Sequence, residues 1–519
     1  MIMKIYKKNA CKKIDNIIII ITLDGTKPSS RIRASDFRQY LKKLIEGKSM
    51  KKFLFISLLC SLLISASAGT LKAQNEAEAA APTVESDLAV LPDDVLEKKK
   101  EGWYPTGIPI YNYTSDNGHG FGARAIMYNN GSKDDQYFKN TPYFYQITAQ
   151  GYATTLGWQY HFVEADMPFF MGSKFRIKTS AVYDKTTNAN FFGIGQKNTD
   201  KLTDKNDKTY NTYQDYYEQF LVEPNNNPRD FKYDKYGITR PKVFLNGYMN
   251  ISKEVKVMTG FEVKHTAIDP WGGKKFDLVD EANDVDAKNI PANPTRVEEL
   301  GLENQDGWVN SATIGIAYDT RDYEPDPKKG IYADYTLTAV SKALGSDYEY
   351  QRSTLAARYF FSHPSLNYSG DGGKLKFIPI LASRAAVTTI TGDEAPFHEL
   401  GNFNYFLSNQ SGLGGNRTLR SYKSNRFIGE TMTNANIELR VEFLELSGAG
   451  QLFTFKALAF ADTGSVFDNR KDVIKDFGYY HSSFGGGLAI AWNQALIIHF
   501  YYGVGAEDAS ISLDIGHAI

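Results

Sequence analysis

From Trp103 to the end of the chain, apolar and polar residues tend to alternate one by one. The clearest stretch is 434–443. There Ala435, Ile437, Leu439, Val441 and Phe443 fall on one side, and Asn434, Asn436, Glu438, Arg440 and Glu442 on the other. Side chains of a β-strand point alternately to its two faces, so the stretch predicts a strand with one apolar and one charged face. The same period runs through 331–339, where Ile331, Ala333, Tyr335, Leu337 and Ala339 alternate with Tyr332, Asp334, Thr336 and Thr338. It recurs at the end, with Ile511, Leu513 and Ile515 set between Ser510, Ser512 and Asp514. Continued along the chain, this reading predicts sixteen strands near 107–113, 118–128, 143–152, 155–166, 174–183, 238–252, 255–267, 306–319, 331–342, 348–361, 374–387, 431–443, 453–466, 482–493, 495–504 and 509–518. Alternation alone fits two settings: a soluble antiparallel sheet with one wet face, or a sheet with lipid on its apolar side.

The N-terminal part decides between them. Met50-Lys51-Lys52 opens an apolar run from Phe53 to Ile64, followed by the small residues Ser65-Ala66-Ser67-Ala68-Gly69. A basic start, an apolar core and a small-residue zone form a secretory leader, read here as 50–73 with cleavage after Ala68 or Ala73. Cys60 lies inside the apolar run, not after it, which argues against a lipid anchor. Because such a leader works at an N-terminus, residues 1–49 are read as an over-extended start and Met50 as the true one. Residues 74–102 are a polar periplasmic linker. Nothing beyond residue 75 reaches the roughly 20 apolar residues that a membrane helix needs. An exported chain of this kind can cross a membrane only as a closed barrel, because open sheet edges leave unpaired backbone groups in lipid. The expected fold is therefore all-β: a transmembrane antiparallel β-barrel of about sixteen strands over 103–519, in a bacterial outer membrane. If the first strand runs outward, the long connections 184–237, 268–305 and 388–430 all lie outside and the shorter ones in the periplasm, the usual asymmetry of such barrels.

Composition narrows the function. With 59 basic against 60 acidic residues there is no basic excess for a nucleic acid. The 33 tyrosines suit a membrane–water boundary, where a ring and a wet hydroxyl are both satisfied, and outer-membrane lipids are the expected surroundings. The two cysteines, Cys11 and Cys60, precede the strands, which excludes a disulfide framework and a cysteine-held metal there. His398-Glu399-Leu400 lacks the second histidine of a zinc helix, the acids Asp200 to Asp207 are interrupted by Lys201 and Lys205, and no Gly-x-Ser-x-Gly elbow occurs. No metal, cofactor or enzymatic activity is expected.

Four segments remain. Asp319-Thr320-Arg321-Asp322 is followed by Pro327 and Gly330 at an expected periplasmic turn. Gly412-Leu413-Gly414-Gly415 precedes Leu419-Arg420-Ser421-Tyr422 in a long outer loop, and Phe460-Ala461-Asp462-Thr463-Gly464-Ser465-Val466-Phe467 forms a late strand. The opening 105–122 carries Tyr111, Asp116, Gly118 and Gly122. Together these resemble the barrel domain of the bacterial surface antigen family, the outer-membrane assembly factors of BamA/TamA type, over 103–519. The resemblance implies a long loop folded into the lumen, where Arg420, beside the aromatic Tyr422, pairs with the wall acids Glu438 and Asp462. A guanidinium between two carboxylates makes strong, often bidentate bonds and would fix the loop. On the residues alone, Arg420 reads rather as a solvated loop charge and Asp462 as an ordinary lumen acid. The family pattern is departed from in three places: Ser421 stands where glycine is usual, Ile519 where an aromatic is usual, and 74–102 is too short for a periplasmic POTRA domain. The implied function is assembly of outer-membrane proteins or lipids through a seam between the first and last strands. Its expected partners are unfolded outer-membrane proteins and a separate periplasmic protein. A pore without assembly activity is the alternative.

Overall fold

In the computed structural model the alternating segments close into one antiparallel barrel. The structure describes residues 2–5, 19–22, 90–91, 96–97 and 99–519, except 115, 222–229, 281–284, 371–373, 407–408, 449–450, 469, 475–478, 493–495 and 518. The leader 50–73 lies outside the described residues. Of 1–49, only Ile2–Ile5 and Ile19–Thr22 are described; they pair antiparallel within Met1–Ser86, a unit distinct from Asp87–Ile519.

The sixteen long strands of the barrel are β1 Trp103–Thr114, β2 Gly118–Asn129, β3 Tyr145–Thr154, β4 Trp158–Met167, β5 Phe175–Asn190, β6 Lys235–Asn250, β7 Val255–Pro270 and β8 Ser311–Asp319, then β9 Gly330–Val340, β10 Tyr350–Phe361, β11 Leu375–Thr391, β12 Thr431–Gly448, β13 Gln451–Phe467, β14 His481–Trp492, β15 Leu496–Gly505 and β16 Ala509–Ile515. Each corresponds to one of the sixteen segments expected from alternation. Two short strands, Gly307–Trp308 and Tyr368–Ser369, add to the wall on β7 and β11.

The barrel is inside out relative to a soluble fold. Large apolar side chains face outward and stay exposed, among them Phe121, Val163, Ile314, Leu355, Ile437 and Phe484. The buried apolar clusters lie within the lumen, between the inner wall and the loops. The connections 191–234, 271–310 and 392–430 all leave the same end of the barrel. At the opposite end the connections include the short turns 168–174 and 251–254. Exposed aromatics gather around that short-turn end: Trp103, Tyr145, Phe175, Tyr318, Tyr359, Phe361 and Phe377. Trp103 stacks on Tyr145, and Phe453 packs against Trp492. Such a belt marks one edge of an apolar band, where rings meet head groups.

Two features go beyond the sequence reading. The last part of the polar linker docks on the barrel. Leu91 N–H bonds the Lys139 carbonyl at 2.8 Å, and the Lys99 ammonium bonds the Thr141 carbonyl at 2.8 Å while lying 3.6 Å over the Phe138 ring. The second is how short the pairing at the seam is. β1 pairs with β2 along its whole length, Trp103↔Asn129 to Thr114↔Gly118. Across the seam, among the described residues, only Thr114↔Ser512 and Tyr113↔Leu513 pair with β16.

Candidate functional site: a loop held inside the barrel

The connection 392–430 turns back into the lumen. Its tip reaches the inner wall of β9, where the Phe406 N–H bonds an Asp334 carboxylate oxygen at 2.9 Å and the Phe406 ring packs against Tyr248. Further along, Leu413, Leu419, Tyr422 and Phe427 bury against Ala356, Ala386, Met432 and Val466 of the wall.

Arg420 sits at the centre of this contact and is 2% exposed. Its Nε and Nη2 donate to the two Asp462 carboxylate oxygens at 2.9 and 2.7 Å, and its own backbone N–H adds a bond to Asp462 at 3.2 Å. Nη1 donates to Glu438. The guanidinium lies 3.6 Å over the Phe460 ring. Residues of one parity on β12 and β13 point into the lumen, which is why Glu438 and Asp462 reach the loop. Neither acid depends on Arg420 alone. Glu438 accepts from Arg440 Nε at 2.8 Å; Asp462 accepts from Asn436 Nδ2 at 2.7 Å and Ser483 Oγ at 3.1 Å. Burial would lower the pKa of Arg420, but the Glu438 and Asp462 charges hold it above its ordinary value. Tyr422 does not join the ion cluster. It packs on Phe427 and His481, with its hydroxyl 3.4 Å from the Ser482 carbonyl.

The wall beneath the loop is cut back to glycine. A Cβ on Gly464 would stand 2.9 Å from Leu413, one on Gly503 2.6 Å from the Arg420 carbonyl, and one on Gly505 3.0 Å from the Tyr422 ring. The Arg420 backbone and the Leu413 and Tyr422 side chains therefore approach the wall more closely than a side chain at these three positions would allow.

The other expected group lies at the short-turn end, in the β8–β9 connection 320–329. Arg321 bridges both Asp319 oxygens at 2.8 and 2.9 Å and covers the Tyr332 ring at 4.3 Å. The Asp322 side chain accepts the N–H groups of Tyr323, Lys328 and Lys329 at 3.0, 3.0 and 3.2 Å, closing the turn on itself. Gly330 ends the turn at φ 109, where a Cβ would run into the Thr320 carbonyl. The structure thus places Asp319, Arg321, Asp322 and Gly330 in one turn and Arg420, Glu438 and Asp462 in a separate cluster.

Several contacts were not anticipated. At the long-loop end, Arg426 forks onto Glu507 at 2.7 and 2.8 Å, Lys423 pairs with Asp508 at 3.1 Å, and the Ser424 N–H bonds Asp116 at 2.6 Å. Asp116 follows β1, and Glu507 and Asp508 precede β16, so one loop is tied to both sides of the seam. Arg384, from the inner face of β11, bonds Asn434 at 2.9 Å and also Asn436. The inward parity of Arg384 could have flagged it; the pairing of Arg426 with Glu507 had no signal in spacing.

An apolar exterior, a belt of rings and a lumen occupied by the chain's own loop define a membrane β-barrel with an internally docked loop. The model of the Omp85 superfamily domain matches residues 123–516. The chain belongs to the Omp85 superfamily. A second model, a domain of unknown function (DUF5982), matches residues 86–144, the docked linker and first hairpin. No curated protein matches. Among solved structures, the chain is similar to BamA from Haemophilus ducreyi lacking POTRA domains 1–3, at 11% identity over 80% of this chain and 70% of that one, TM-score 0.44. It is also similar to CdiB from Acinetobacter baumannii, at 10% identity over 80% of this chain and 60% of that one, TM-score 0.42. CdiB from Escherichia coli follows, at 9% identity over 79% of this chain and 62% of that one, TM-score 0.42.

Proposed function

We propose that this barrel resides in a bacterial outer membrane, long loops outward, and takes part in assembling or inserting outer-membrane proteins through the β1–β16 seam. The observation that carries the reading is the seam itself. Among the described residues, every other junction of neighbouring long strands rests on at least six residue pairs, whereas this one rests on two. Backbone groups facing lipid must be paired, and a β edge is a template for another strand. The β1 edge below Tyr113 is therefore the place where an incoming strand gains most by adding to this sheet. The partners in this reading are unfolded outer-membrane proteins, lipids, and a separate periplasmic protein that delivers them; the barrel itself catalyses no covalent reaction.

A pore is the weaker reading, because Phe406, Arg420 and their partners occupy the lumen at successive depths. The test is a disulfide between Thr114→Cys and Ser512→Cys, with Cys11 and Cys60 replaced by serine. Locking the seam should abolish assembly in the native host, read as loss of other barrels by quantitative proteomics of the outer membrane, with recovery on reduction. Undiminished assembly with the disulfide fully formed would end the seam model.

A further inference from the structure

β16 stops pairing across the seam at Leu513, although the chain runs on to Ile519. Carried forward, the observed register would set Ile515 opposite Tyr111, His517 opposite Pro109 and Ile519 opposite Gly107. The described tail residues are engaged elsewhere. The Ile515 carbonyl accepts from Arg417 Nη2 of the docked loop at 2.9 Å, and the Gly516 N–H bonds the Ile497 carbonyl at 2.8 Å, with Gly516 at φ 96. His517 is turned inward, 8% exposed, with Nε2 3.0 Å from Asp326 of the β8–β9 turn. Asp326 is itself fixed: both its oxygens bond Lys456 Nζ of β13, at 2.7 and 2.6 Å, and Lys456 also pairs with Glu442 at 3.2 Å. Lys328 of the same turn holds Glu442 at 2.8 Å. The turn is stiff, since Pro325 and Pro327 flank Asp326 and Asp322 closes it.

We propose that the β8–β9 turn is a latch for the C-terminal tail: Asp326, anchored by Lys456, holds His517 inside the barrel and so leaves the lower β1 edge vacant for an incoming β-strand. This rests on the seam reading above for what the vacancy is used for, but not for the latch itself. Two elements nearly two hundred residues apart, the turn and the tail, thereby set how much of the seam is closed.

The test uses the full chain in lipid vesicles, with Cys11 and Cys60 replaced by serine and a cysteine pair introduced as Tyr111→Cys and Ile515→Cys. With the latch intact, mild oxidation should give little disulfide. Adding Asp326→Ala should raise the yield at least five-fold, and so should His517→Ala, which leaves the Asp326–Lys456 pair in place should Asp326→Ala fail to fold. Folding is checked by heat-modifiable mobility on gels. Equal yields with and without His517→Ala in folded protein overturn the latch, as does near-complete disulfide with the latch intact. Because the readout is a crosslink, the latch can fail while the seam-locking experiment succeeds, and the reverse.

Discussion

Replacing Arg420 by alanine tests the docked loop most directly. The substitution removes a cation that is 2% exposed and shared by two carboxylates. Breaking a buried pair by deleting one partner costs about 3–5 kcal/mol, largely because a charge is left uncompensated. The lower end applies here, since Glu438 keeps Arg440 and Asp462 keeps Asn436 and Ser483. About 3 kcal/mol corresponds to a rise of roughly 100-fold in the population with the loop displaced. Ser421 supplies the reporter. It is 1% exposed beside Arg420, and Ser421→Cys changes one atom. With Cys11 and Cys60 replaced, a membrane-impermeant maleimide added to the long-loop side reacts only when the loop leaves the lumen. The labelling rate of Ser421→Cys should rise by about two orders of magnitude when Arg420→Ala is added, under conditions where opening is rapid. Adding Asp462→Asn should recover part of that loss, because it removes the stranded charge. A rate within two-fold of the parent would refute the argument and mean that apolar packing around Leu413 and Leu419 holds the loop unaided.

Gly330→Ala should destabilise the barrel by about 1–3 kcal/mol, because φ 109 and the Thr320 carbonyl leave no room for a Cβ; an unchanged urea midpoint would count against the turn geometry. The tail should also respond to pH. Burial, with Arg440 adding to it, pushes the His517 imidazole down to about 4, whereas an unfolded histidine titrates near 6.5. Between those values the unfolded chain binds more protons, so His517 contributes fully above about pH 6.5 and its contribution is lost as pH falls toward 4, a swing on the order of 3 kcal/mol at most. His517→Gln cannot titrate. The gap between its urea midpoint and the parent's should therefore shrink from pH 7.5 to pH 4.5, and a constant gap would contradict the assignment.

The strands were legible because lipid outside and polar contents inside force an alternation that few other settings impose. Where that condition lapses, so did the reading. β5 was expected to end near 183 but continues to Asn190; Asp184, Lys185, Thr186 and Thr187 have no apolar face, and the strand continues beyond its alternating part. β1 was expected to begin near 107 but starts at Trp103, because Pro105 reads as a breaker while an edge strand accommodates it. The Arg420 cluster was reached by resemblance, since nothing in spacing brings a loop arginine to two strands. The pairs Arg426–Glu507 and Asp326–His517 were invisible for a simpler reason: their members lie 81 and 191 residues apart and meet only after the barrel has closed.

The glycines under the loop carry a consequence for anyone who would graft or redesign this protein. Gly464, Gly503 and Gly505 form a mould whose shape is the negative of one particular loop surface made by the Leu413 side chain, the Arg420 carbonyl and the Tyr422 ring. A loop transplanted from another barrel, even one bearing the same arginine, would meet a surface cut for a different guest. The heritable unit is therefore neither the loop nor the wall but the pair of them, and substitutions in 413–422 and in the three glycines should be tolerated together more readily than apart.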